Sequence, residues 1–204
     1  MNPHILLVSV QKDLDVIGLK LLHYLLLENS VDSTLLFLPN LFKDSNALED
    51  VASFVRWNNP NIIGISLMTV EYYEACNLTK CLKANFPTTP IVWGGVHPTL
   101  DPESCLQYAD YVCIGEGEQT ILDIARESAN GSTDLRGVSN LAYKESGQTK
   151  CNSVYPLIDD LDKLAIYEHV PRRSFVQSAT GIVPLTPEIF RRYARYWGTT
   201  YSVM

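Results

Sequence analysis

The chain predicts an α/β fold: a doubly wound, parallel, five-stranded sheet carrying a small C-terminal β-hairpin and a helical extension. Three observations carry this. Short apolar runs alternate with longer amphipathic segments through about residue 128, the rhythm of strand–helix–strand crossovers. The first runs are near-continuous in Ile, Leu and Val, as strands buried on both faces are. Two later runs end in glycine-rich loops, Gly94-Gly95 and Gly115-Glu116-Gly117-Glu118, where a ligand can approach backbone that a Cβ would shield.

Residues 4 to 10 read as the first strand and Val16 to Glu28 as a helix, with Ile17, Leu21, Leu25 and Leu19, Leu22, Leu26 on a broad apolar face. Thr34 to Leu38 is the second strand, stopped by Pro39. A helix from Leu48 to Trp57 ends at Asn58-Asn59-Pro60. Ile62 to Leu67, Ile91 to Trp93 and Tyr111 to Ile114 are the remaining strands. Helices over Glu71 to Asn85, Pro102 to Tyr108 and Gln119 to Ser128 separate and follow them. Right-handed crossovers place these helices on both faces of the sheet. Val138 to Lys144 and Lys150 to Val154 flank Glu145-Ser146-Gly147-Gln148 as an antiparallel hairpin. The acidic, proline-led run Pro156 to Leu164 reads as a linker. Residues 165 to 204 show no obvious core of their own, with one amphipathic helix over Pro187 to Trp197. The expected units are 1–135, 136–156 and 157–204.

With 204 residues, 46% hydrophobic and 19% charged, the chain can bury a substantial core. A net charge of −7 argues against nucleic acid as a partner. The basic residues Arg172, Arg173, Arg191, Arg192 and Arg195, interleaved with Tyr193, Tyr196 and Trp197, fit an exposed helix face or a surface for self-association. Five cysteines lack the spacing of a zinc site or a disulfide framework, which suits a reducing cytoplasm. Cys113, within an apolar strand, reads as a small core residue. No signal peptide or membrane span is recognisable.

In an open α/β sheet, ligands sit at the loops beyond the carboxyl ends of the strands. Here those loops hold Asp13-Leu14-Asp15 with Gly18, then Ser66-Leu67-Met68-Thr69, then Gly94-Gly95 with His97-Pro98-Thr99, then Gly115-Glu116-Gly117-Glu118. In this combination the chain resembles the N-terminal cobalamin (vitamin B12)-binding domain of cobalamin-dependent radical S-adenosylmethionine (SAM) enzymes, over about residues 1 to 170. The wider cobalamin family carries D-x-H-x-x-G, S-x-L and G-G on the first three loops. Asp13 and Gly18 match the first motif, but Asp15 stands at the His position. Ser66-Leu67-Met68 matches the second, with Met68 for Leu, and Gly94-Gly95 the third. His97-Pro98-Thr99 and Gly115 to Glu118 are similar to the radical SAM branch, as is the acidic linker.

The resemblance implies a Rossmann-like, flavodoxin-like cofactor domain whose cobalamin has its own base displaced. The cofactor-binding residues it implies are Asp13, Leu14, Asp15, Gly18, Ser66, Leu67, Met68, Thr69, Gly94, Gly95, His97, Pro98, Gly115, Glu116, Gly117 and Glu118. A carboxylate is a poor counterpart for imidazole on cobalt, so no histidine ligand is expected. The physics of the loops agrees. A long nucleotide tail needs small residues along its path, Ser66 and Thr69 can hydrogen-bond it, and the first helix opens with a partial positive charge. No G-x-G-x-x-G follows the first strand, which disfavours a dinucleotide.

Each motif also fits a plainer role. Asp13 and Asp15 can cap a helix, Glu116 and Glu118 can sit at a helix N-terminus, Ser66 can bond locally, Gly94-Gly95 can answer a turn, and His97 can be a surface loop residue. His4, His23 and His169 read as structural or exposed. The three cysteines of a C-x-x-x-C-x-x-C cluster motif are absent. The expectation is therefore a piece of a longer enzyme, ending before a radical SAM barrel that would hold the 4Fe-4S cluster and SAM, with the piece itself inactive. The parent is expected to be a methyltransferase moving a methyl group from SAM via cobalamin to a carbon centre. Two other readings stand beside it. One is a degenerate flavodoxin-like regulatory or scaffolding domain. The other is a receiver-type domain, disfavoured because the third strand ends without a phosphoacceptor Asp.

Overall fold

The computed structural model describes residues 2–41, 46–160, 162 and 164–193. The strands are β1 (His4–Ser9), β2 (Asp32–Phe37), β3 (Ile62–Ser66), β4 (Ile91–Gly94), β5 (Tyr111–Cys113), β6 (Leu141–Glu145), β7 (Gln148–Cys151), β8 (Ser174–Ser178) and β9 (Gly181–Pro184). The helices are α1 (Ile17–Glu28), α2 (Ala47–Asn58), α3 (Tyr72–Asn85), α4 (Val96–Leu100), α5 (Pro102–Cys105), α6 (Glu118–Ala129) and α7 (Pro187–Tyr193).

The five predicted parallel strands are all present, in the order β5-β4-β3-β1-β2. The order reverses between β1 and β3, so the crevice expected at a switch point opens there. Among the described residues the sheet has nine strands, not five. The hairpin β6–β7 continues it antiparallel beyond β5, and β8 adds a sixth parallel strand beside β2, followed by antiparallel β9. The pair β8–β9 escapes a sequence reading because its segments are short and the partner, β2, lies far away in sequence. Nor does this region lack a core. Val176, Leu185 and Phe190 are buried among Ile5, Leu35 and Phe37 on one face of the sheet.

The alternation of side chains along each strand sorts the core into two layers. Leu6, Val8, Ile63, Ile65 and Trp93 face α2 and α3. Ile5, Leu7, Ile62, Val92 and Tyr111 face α1 and α6. Cys113 is buried as expected. Helix α5 stops at Cys105, short of the expected Tyr108, and α3 is preceded by a 3-10 turn over Thr69–Glu71. Arg195, Tyr196, Trp197, Leu161, Lys163 and the end Tyr201 to Met204 lie outside the described residues. Among the described residues no helix is long and apolar enough to cross a membrane.

A candidate ligand channel at the carboxyl end of the sheet

On the face that looks toward α1 and α6, the carboxyl halves of β3, β4 and β5 present Gly64, Ser66, Gly94 and Cys113. Bulkier residues, Ile62 and Val92, stand at the other end of the same rows. This taper leaves a cavity of about 320 Å³ between the sheet, α1 and α6. Leu7, Leu19, Leu22 and Ile124 wall it, and Gly95, Met68 and the Gly115–Glu118 loop frame its mouth. A volume near the lower end of the ~300–1,000 Å³ typical of small-molecule pockets suits an elongated arm rather than a broad macrocycle.

The glycines answer distinct local demands. Gly95 has φ +105°, and a Cβ there would lie 2.7 Å from the Leu67 carbonyl oxygen, so only glycine fits. A Cβ on Gly64 would meet Leu7 Cδ2 at 2.9 Å. Thr99 joins the two glycine loops: its hydroxyl donates to the Gly95 carbonyl at 2.9 Å and accepts from the Gly115 N–H at 3.0 Å. Asn140 holds the second loop from behind, donating to the Glu116 carbonyl at 2.7 Å and accepting from the Tyr155 N–H at 2.6 Å. The Glu116 carboxylate accepts from the Ile158 N–H at 2.9 Å. Glu118 Oε2 is buried and has no protein partner, at the wall of the cavity. Burial pushes the Cys113 thiol up to about 11, so this wall residue is a neutral thiol at pH 7.

The structure brings ten of the sequence-predicted residues to this cavity: Gly18, Ser66, Leu67, Met68, Gly94, Gly95, Gly115, Glu116, Gly117 and Glu118. The others lie elsewhere. Leu14 is buried in the core. Asp13 accepts from the Asp15 N–H at 2.9 Å and borders a separate hollow near Glu71. Neither aspartate caps α1 through its side chain; the N-cap is Val16. Asp15 pairs with Lys20 at 2.8 Å. Thr69, exposed, begins a 3-10 turn whose last residue, Glu71, is buried. His97 stacks edge-on against Tyr72 at 4.8 Å, its Nε2 buried and without a hydrogen-bond partner among the described residues, and Pro98 is the buried residue of α4. Gly64 and Asn140 went unassigned in the sequence, and Thr99 was noted only as part of the His97-Pro98-Thr99 motif. A glycine inside an otherwise apolar strand signals close approach and could have identified Gly64. Asn140, at φ +63°, carries no sequence signal that separates it from any loop asparagine.

The B12 binding domain family model matches residues 3–125. The uncharacterized methyltransferase PH0819 of Pyrococcus horikoshii is 32% identical over 127 residues, which cover 60% of this chain and 28% of that protein. An anaerobic magnesium-protoporphyrin IX monomethyl ester cyclase of Synechocystis is 33% identical over 104 residues, 50% of this chain and 21% of that one. Two solved structures share the fold. The radical SAM methyltransferase TsrM from Kitasatospora setae superposes with TM-score 0.64 at 17% identity, covering 74% of this chain and 30% of TsrM. The cobalamin-dependent SAM radical enzyme OxsB superposes with TM-score 0.65 at 19% identity, covering 84% of this chain and 24% of OxsB. The chain spans less than a third of each of these relatives.

Proposed function

This chain belongs to the B12 binding domain family, and we propose that it binds cobalamin, with the nucleotide tail in the channel between α1, α6 and the sheet. The observation that carries this reading is the tapered channel itself. Small residues line its upper half, a mouth glycine tolerates no Cβ, and one buried carboxylate oxygen, Glu118 Oε2, awaits a donor. An arm bearing hydroxyl or amide N–H groups satisfies that oxygen, whose burial without a partner is costly. Ser66 offers a hydroxyl along the same path. The apolar walls exclude water from the arm, and Gly94-Gly95 bring backbone to it.

When bound, cobalamin supplies a cobalt centre able to carry a methyl group. The residues of this chain hold and orient the molecule. In the longer protein we assign the chemistry to methyl transfer from SAM to a carbon centre, with a 4Fe-4S cluster and SAM held by a radical SAM barrel outside this chain. The similarity to the uncharacterized methyltransferase PH0819 supports that assignment.

Mixing the purified chain with hydroxocobalamin and desalting it tests the binding reading. A red chromophore retained in stoichiometric amount is expected. A colourless, folded protein would refute it and favour a flavodoxin-like scaffolding domain.

A further inference from the structure

We propose that Asn140 is a positioning residue for the mouth of the channel, and that through it occupancy of the channel and seating of the segment after β7 form one coupled equilibrium. The tie between loop and segment stands on the fold; its effect on a ligand rests on the cobalamin reading above. The family match ends at residue 125, so the residue that sets the mouth lies outside the matched unit.

Asn140 is buried and stands at φ +63°. Its backbone and side-chain polar groups are all engaged. The backbone carbonyl accepts from the Ile114 N–H at 2.9 Å, and the backbone N–H donates to the Ser153 carbonyl at 2.9 Å. The side-chain amide donates to the Glu116 carbonyl, and the side-chain oxygen accepts from the Tyr155 N–H. One buried residue therefore joins the exit of β5, the Gly115–Glu118 loop and the segment 153–158. That segment has two further ties. The Tyr155 hydroxyl donates to Asp123 Oδ2 on α6 at 2.6 Å, and the Ile158 N–H donates to the Glu116 carboxylate.

Packing beneath the segment is incomplete. A cavity of about 220 Å³ lies between Pro156 and Ile158 on one side and Leu21, Leu25 and Leu122 on the other. Val154 and Leu157 are exposed. Hydrogen bonds rather than apolar burial thus hold the segment, which marks an element of low local stability. Glu116 and Glu118 line this cavity and the channel alike. The loop is a partition, and what fixes it from one side fixes it for the other. With the segment seated, an incoming arm meets a loop already ordered. With the segment lifted, binding must supply that ordering itself. Linkage makes the effect mutual, so a bound arm holds the segment down.

Two measurements test this. Asn140→Asp keeps a residue that tolerates the left-handed backbone and the acceptor for Tyr155, but sets an oxygen against the Glu116 carbonyl. It is expected to bind hydroxocobalamin about tenfold more weakly, the size of one lost hydrogen bond, with amide exchange in α3 and β4 unchanged. Wild-type affinity in this variant overturns the positioning role. Should the variant fail to fold, Glu116→Ala takes its place: about threefold weaker binding is expected for a lost surface bond, recovered in Glu116→Gln, and wild-type affinity in the alanine variant overturns the role equally. The second measurement is amide exchange at Tyr155, Leu157 and Ile158 of the wild-type chain. Saturating hydroxocobalamin is expected to slow it about tenfold, because the coupling is reciprocal; unchanged exchange overturns the coupling. Wild-type chain that retains no cobalamin sinks the cofactor reading instead. The tie is then read without ligand, where faster exchange at Ile158 in Asn140→Asp upholds it and equal exchange overturns it.

Discussion

Gly94 and Gly95 are adjacent but constrained by different neighbours, and that difference separates folding from binding. An added Cβ on Gly94 would find Cys113 Cβ at 3.8 Å, an ordinary contact. Gly94→Ala should therefore cost less than about 1 kcal/mol, while Gly94→Leu pushes a branched side chain into the channel. The leucine variant is expected to unfold at nearly the wild-type urea concentration yet lose hydroxocobalamin on desalting. Gly95→Ala combines φ +105° with a 2.7 Å approach to the Leu67 oxygen and should cost about 3 kcal/mol in stability. If Gly94→Leu retains the chromophore, the tail does not run past that residue. Thr99 belongs to the same scale. Thr99→Val keeps the shape but removes both bonds between the glycine loops. These bonds are exposed, so a loss of about 1 kcal/mol is expected, read as a lower urea midpoint. The paired glycines were conspicuous in the sequence because two in a row after an apolar run have few explanations. Thr99 was quoted there for its motif and not for its work, since a hydroxyl's partners depend on a loop from another strand.

At the scale of elements, α1 is the hinge between the channel and the C-terminal segment. Its His23 is fully buried between the Ser33 hydroxyl and the Arg172 carbonyl, at 2.8 Å from each. Burial, the largest cause, lowers its pKa to about 4 against an ordinary 6.5, with the nearby Arg173 and Arg172 charges adding to it. The unfolded chain then binds more protons than the native one between these values. Stability contributed by neutral His23 is full above pH 6.5 and declines as pH falls toward 4, by roughly 3 kcal/mol in all. Urea midpoints of wild type and His23→Asn should converge or cross as pH is lowered through this window; parallel curves from pH 7 to 4 would contradict the burial argument. The sequence reading made the helix legible through its leucines, and the structure starts it one residue later than expected. Lys20 and His23 were invisible in that role. On a helical wheel they mark a polar face, and nothing local says that a distant segment will cover it.

The whole molecule raises the question of what counts as the domain. The family match ends at residue 125, and the sequence places unit boundaries at 135 and 156. The sheet runs through both, because β6–β7 continue one edge and β8–β9 the other. Removing everything after residue 156 would strip Val176, Leu185 and Phe190 from the α1 layer and leave β2 an unpaired edge. At about 2 kcal/mol for each buried apolar side chain, the loss approaches 6 kcal/mol, comparable with the ~5–15 kcal/mol total of an ordinary domain. Hydration of Lys20 and His23 returns some of this, since both would regain water. A chain of residues 1–156 is therefore expected to show a urea transition shifted by several kcal/mol, bind a hydrophobic dye, and self-associate through the exposed edge of β2. Should the shorter chain unfold cooperatively at the wild-type midpoint, the C-terminal strands would be a cover laid over a domain already complete.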